Sequence, residues 1–314
     1  MMIAALFDNS WDALDRFLVL RAAARQWCEV GDDCPLWRLV HYLTDIKTWA
    51  VCLMPVLLLQ RASPARPPAR SALTSFVFDW SYPVLTIGIS SWLVLPVVQG
   101  VYDFGKSHLS LGFSDYIGTW PLIIKIMFAF VLQDFLRYVS HFLRHKIRWL
   151  WSFHAIHHSQ VNMNPCTTHR THPFEAMVGS FLITLPIGVL GIEPVPWIYA
   201  GVTSMFWDLF LHLNVRTNLG QLGKVIVSPQ YNRVHHSALQ EHYDCNYGER
   251  LVLWDLIFGT LCRDRSVYPP TGCPESSLLM ERPKGMFWIP QYWFQQFFYP
   301  FRQISSLGRG RIDH

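Results

Sequence analysis

The chain has 314 residues, 51% hydrophobic, 15% aromatic and 15% charged, with a mean hydropathy of +0.18 and a formal net charge of +4. A composition this apolar excludes a disordered chain and the basic stripe of a nucleic-acid binder, and it points to a protein embedded in a bilayer. The seven cysteines are scattered, odd in number and without a CxxC pair, which argues against a disulfide framework and a thiolate metal site.

In chain order, the short apolar opening followed by Asp8, Asp12 and Asp15 lacks the layout of a signal peptide. Residues 10–27 set Trp11, Leu14, Phe17 and Leu18 against Asp15, Arg16, Arg21 and Arg25 at helical spacing. This predicts an amphipathic helix that lies at a membrane surface or packs on the rest of the protein, within an N-terminal region of residues 1–45. The apolar run 48–59 is short for a span, and RASPARPPAR at 61–70 is a breaker-rich basic loop. Residues 82–98 carry no charge and read as a span; 120–139 follow, with Lys125 and Asp134 inside. Two further apolar segments, 176–191 and 194–213, meet at GIEPVP and read as a helical hairpin that enters and leaves on one side. Positive charge at 61–70 and at Arg137, Arg144, Lys146 and Arg148 places those stretches in the cytoplasm. Beyond Asn214 the chain reads as a mostly polar cytosolic tail with aromatic patches. The expected architecture is an all-α integral membrane protein with about four to five membrane-embedded helices. Residues 46–260 form the membrane domain, a cytosolic helical cap carries the histidines, and 261–314 are a C-terminal tail.

The chemistry gathers between Asp134 and His158, which hold five histidines. His141 and His145 are four apart and share a helix face; His154 shares one with either His157 or His158. Asp134 lies on the His141 stripe, where it is expected to hydrogen-bond a ligand imidazole. Later in the chain come His172 in THPFE, His212 in WDLFLHLN, and His235 and His236 in PQYNRVHHS. A set rich in imidazole and poor in thiolate suits iron, zinc or copper. Structural zinc needs only four ligands, commonly with cysteine, and a carboxylate di-iron bundle needs paired Glu-xx-His motifs that are absent here. His169 is unassigned, and His242 is a spare imidazole that could stand in for Asn232; Asp208, four before His212, pairs with it or caps the segment, and Asp244 and Asn246 are candidate partners of ligand histidines. The segment NYGERLVLWDLIFGT, with Asp255, reads as core packing of the cap.

In order, DFLRYVSHFLRH, LWSFHAIHHS, TTHRTHPFE, FLHLN, SPQYNRVHHS and NYGERLVLWDLIFGT resemble the fatty acid hydroxylase/sterol desaturase superfamily of membrane histidine-box di-iron oxygenases. The resemblance covers roughly residues 134–260 and implies His141, His145, His154, His157, His158, His212, His235 and His236 as iron ligands. His172 matches a position beside the ligands or the substrate. Asn232 stands where the third box commonly has its first histidine, so one metal loses an imidazole. The resemblance also implies two non-haem iron ions, O2 as co-substrate, and electrons from a separate reductase, ferredoxin or cytochrome. The expected reaction is hydroxylation or desaturation of a fatty acyl, sphingoid or sterol group. The expected setting is a multi-pass membrane, bacterial inner membrane or endoplasmic reticulum, with the boxes on the cytoplasmic side. The rival is a non-catalytic, degenerate metal-binding membrane protein.

Overall fold

The structure, a computed structural model, describes residues 54, 57–67, 77–79, 81–82, 97–273 and 288–307. The expected amphipathic helix at 10–27 lies outside these residues, as do most of the apolar runs 48–59 and 82–98 and the end of the loop at 61–70. Among the described residues the fold is helical, with isolated bridges at Pro64–Val215, Ile226–Leu251 and Ser237–Thr271 and no strand.

The longest helix, α1 (Leu122–Lys146), has 25 residues, about 37 Å at the α-helical rise. It runs past the expected span and through the first pair of histidines. A single extended residue, Ile147 (φ −99°, ψ 114°), ends it, and α2 (Arg148–His158) starts at once. That one break turns the second histidine group back towards the first. A 3₁₀ turn follows at Pro165–His169, and then α3 (Pro173–Leu190) and α4 (Pro194–Leu211). Proline at the start of both helices fits positions whose N–H has no helical partner. Gly191 closes α3 at φ 65°, a conformation that costs glycine little.

The junction between α3 and α4 lies beside the first turns of α1. Lys125 Nζ is 3.1 Å from Glu193, and Tyr102 donates to the Ile192 carbonyl at 3.2 Å. Tyr102, Ile117, Ile187 and Ile192 pack there, with Trp120, Phe128 and Trp197 against them. Both helices pack along α1, and the start of α3 and the end of α4 meet at its histidine-bearing end, so the two form an antiparallel pair. Only α3, among the described helices, is long and apolar enough to cross a bilayer. The expected four to five spans are therefore not reached by the described residues.

At the histidine end, α5 (Pro229–His235) and the short α6 (Leu253–Phe258) complete the cap, and α7 (Ile289–Leu307) packs on α2. Ala155 and Ile156 of α2 meet Phe78, Tyr82 and Tyr299 in one apolar cluster. Beside it the buried Arg170 guanidinium bonds Asp79 (3.2 Å), Ser159 (2.9 Å) and Gln160. Gln160 and Asn164 also donate to Asp79, at 2.5 and 2.6 Å. A buried charge needs such a full set of partners. The network ties Asp79 to the chain that follows α2.

Candidate metal centre

Four elements deliver eight imidazoles. α1 carries His141 and His145, α2 carries His154, His157 and His158, α5 ends at His235 with His236 next, and His212 follows the last turn of α4. Neighbouring positions on a helix differ by about 100°, so each HH pair splits. His158 joins His141, His145, His154 and His235, whereas His157 joins His212 and His236; within each group the ligand atoms lie within 4.8 Å of one another. The two groups touch where the His158 and His236 rings stack at 4.3 Å.

Four outer ring nitrogens are held by hydrogen-bond partners, three of them backbone carbonyls, which only accept. His141 Nδ1 is 2.9 Å from the Tyr247 carbonyl, and His235 Nδ1 is 2.9 Å from that of Cys245. His212 Nδ1 is 2.7 Å from the Asp208 carbonyl, and His154 Nδ1 is 2.7 Å from the Glu175 carboxylate. Nδ1 of His141, His235 and His212 therefore carries the proton, which leaves their Nε2 with a lone pair pointing inward. His158 Nε2 lies 3.2 Å from both His154 Nε2 and His235 Nε2 and has at most one proton to offer. One facing pair of lone pairs is left over, a repulsion that a cation between them relieves. The buried ring atoms His145 Nε2, His157 Nδ1 and both nitrogens of His236 have no hydrogen-bond partner. This donor set, all imidazole and no thiolate, fits iron.

Burial, reinforced by neighbouring imidazoles, holds His154, His157, His158 and His236 well below the usual histidine range. Burial brings His212 and His235 down to about 4. The rings are thus neutral and able to offer lone pairs to a metal, and protons compete for them only in distinctly acidic solution. Opposite His141, Glu249 is ion-paired to Arg137, which also pairs with Asp208 at 2.6 Å. Burial raises the Glu249 carboxyl, but Arg137, His141, Arg144 and Arg250 together outweigh it and hold it at about 2. A cavity of about 330 Å³ opens on this side, lined by Arg137, His141, His157, His212, Asn232 and Glu249 among others. A separate cavity of about 210 Å³ meets His145, His158 and His235 beside Trp151.

The expected hydrogen bonds of Asp134, Asp244 and Asn246 to the histidines need correction. Asp134 bonds no imidazole: its carboxylate accepts from the Trp254 indole (2.8 Å) and the Leu251 N–H (3.2 Å) and faces Arg250. Two helical turns separate it from His141, too far for a bond along one face. His172 is outside both groups; its Nδ1 caps α3 by accepting from Phe174 N–H, and its ring sits among Phe153, Phe297 and Phe301. His242 bonds Ser237 and joins neither group, so it does not replace the missing imidazole. Asp244 and Asn246 bond Tyr247 and Tyr231 rather than ligands. Asp208 serves His212 through its backbone, not its carboxylate. Asn232 does line the main cavity beside His157 and His212, and the group next to it has three histidines against five in the other.

The partners that sequence reasoning missed are Glu175, Glu249 and the loop 244–248. In that loop Asp244 and Asn246 adopt φ 62° and 61°, a left-handed conformation that Asp and Asn tolerate better than most residues. The turn aims the carbonyls of Cys245 and Tyr247 at His235 and His141. The visible signal was the pairing of Asp244 and Asn246 with a following glycine; the two acids stood in motifs already quoted.

Comparison with known proteins agrees with the arrangement. The sequence model of the fatty acid hydroxylase family matches residues 126–260. The ornithine lipid hydroxylase OlsE of Rhizobium tropici is 33% identical over 228 residues, 72% of this chain and 67% of that protein. Human alkylglycerol monooxygenase is 30% identical over 132 residues, 42% of this chain and 29% of its own. Human cholesterol 25-hydroxylase is 26% identical over 141 residues, 45% of this chain and 52% of its own. The chain thus spans about two thirds of the first relative and less of the other two. No solved structure matches it. With the motifs in order, the imidazoles gathered and a relative matched across most of both chains, this protein belongs to the fatty acid hydroxylase/sterol desaturase superfamily.

Proposed function

We propose that this chain is a membrane lipid hydroxylase in which the two histidine groups each hold one iron ion. The observation that carries the reading is the pair of buried, neutral imidazole groups beside one cavity. The named activities of the three relatives, all lipid hydroxylases or monooxygenases, support hydroxylation over desaturation. When bound, the ions supply the dioxygen chemistry that no amino-acid side chain provides, with two electrons from an external donor. The overall balance is a C–H bond, O2, two electrons and two protons giving an alcohol and water. The substrate class is a membrane lipid, and the donor is a separate reductase, ferredoxin or cytochrome.

The chain's own residues do the positioning. The carbonyls of Tyr247, Cys245 and Asp208 and the Glu175 carboxylate fix ring tautomers. Burial excludes bulk water from His154, His158 and His236. Arg137, clasped by Glu249 and Asp208, holds the cavity wall between α1, α4 and the loop after α5. Asn232 lines the cavity beside His157 and His212 and leaves its group with three imidazoles, the kind of incomplete ligand shell a catalytic metal keeps for a reactant. The proposed setting is a multi-pass membrane protein of a bacterial inner membrane, with the histidines on the cytoplasmic side.

The test is the purified full chain. Two irons per chain, with lipid hydroxylation that depends on O2 and reductant, support the reading. A chain that takes only zinc and stays inert after iron reconstitution overturns it. The degenerate reading rests on Asn232: if only Asn232→His brings in a second metal, the native site is incomplete.

A further inference from the structure

The segment expected to pack in the core of the cap instead turns an apolar face outward. On α6, Leu253 is 44% exposed, Leu256 56%, Ile257 59% and Phe258 54%. Leu222 (55%) and Val225 (60%) lie alongside, because Val252 N–H bonds the Val225 carbonyl at 3.0 Å and Ile226 bridges Leu251. Lys224 is exposed between those two. Six large apolar side chains on one patch are more than a soluble surface carries without a partner.

The patch continues an apolar stripe on α1. The Phe135 ring lies 4.9 Å from Trp254, and the Tyr138 ring stacks 5.3 Å from Phe258. One and two turns before Phe135, Val131 and Met127 face outward. α1 in turn packs on α3, the helix apolar enough to cross a bilayer.

We propose that α6 and residues 222–225 are seated in the cytoplasmic leaflet, with the apolar patch among acyl chains and Lys224 at anionic headgroups. Continuity with the α1 stripe and a cation at the rim favour a lipid surface as the occupant. The seat bears on the metal centre through the buried side of the same helix. Asp255 accepts from the N–H groups of Tyr247 (2.9 Å) and Gly248 (2.6 Å). That loop orients His141 and His235, so the bilayer steadies the helix that holds the ligand-aiming turn.

The test uses the full chain in vesicles of phosphatidylethanolamine and phosphatidylglycerol. A benzophenone amino acid replaces Leu256 or Ile257, and in a control it replaces the exposed Glu241. Lipid adducts at 256 and 257 but not at 241 are expected. Adducts to a second copy, or no lipid adduct at either position, overturn the proposal. The unmodified chain gives an independent readout by hydroxyl-radical footprinting. After correction for intrinsic side-chain reactivity, residues 253–258 should be protected at least several-fold relative to Tyr243, and corrected labelling equal to that of Tyr243 overturns it as well.

Discussion

Glu175 offers a sharp test of how the five-histidine group is held. Its carboxylate accepts the Nδ1–H of His154 at 2.7 Å, with both side chains buried and Arg144 at 3.4 Å. Leaving a buried polar group without its partner costs about 1–3 kcal/mol, and an unpaired His154 Nδ1 frees the ring to adopt the wrong tautomer. Glu175→Leu should therefore weaken iron at that group by about 10- to 100-fold. Glu175→Gln keeps an acceptor of the same shape and should lose less, about tenfold at most. The three-histidine group contains neither His154 nor any side chain bonded to Glu175, so its affinity should stay unchanged. A two-site iron titration against a competing chelator on the purified chain reads all three values. Glu175→Leu affinities unchanged at both sites, or lowered equally at both, would refute the assignment of His154 and its partner.

Three further outcomes follow from the same geometry. Histidines whose folded-state pKa is depressed keep their stability contribution above the unfolded value near 6.5 and lose it as pH falls towards about 4, the value for His212 and His235. The metal-free chain should lose up to about 1.4 kcal/mol per pH unit for each such ring across that window, so its Tm should fall between pH 7 and pH 5; a flat profile contradicts this. Asp255→Asn disturbs bonds to Tyr231, Tyr247, Gly248 and Thr260 and should cost on the order of 2–4 kcal/mol, visible as a lower Tm and faster amide exchange in residues 244–248. Asn232→His should tighten iron at the three-histidine group without raising the stoichiometry, and should slow turnover by filling the cavity side; unchanged affinity would place residue 232 outside the metal's reach.

All eight histidines singled out from the sequence fall in the two groups that could hold a metal, because helical spacing is a local property and each histidine box lies on or beside a helix end. It left open whether His157 or His158 joins His154, and the break at Ile147 decides that by setting where α2 starts. The partners of the ligands were not legible in the same way. Glu175, twenty-one residues from His154, and Tyr247, 106 from His141, meet them only through the packing of α3 and the 244–248 loop against α1. Asp134 shows the reverse error: a shared stripe was legible, but the indole of Trp254, 120 residues away, takes the carboxylate. The outward face of α6 was hidden because LVLWDLIF is equally apolar whether it faces a core or lipid.

The decisive measurement is isotopic. Full-length protein reconstituted with iron in vesicles, supplied with reductant and heavy dioxygen, should place one heavy oxygen atom in a membrane lipid. The labelled product should vanish with His157→Ala and with His158→Ala, one ligand from each group. A lipid product whose oxygen comes from water, or label that survives both substitutions, would contradict the account.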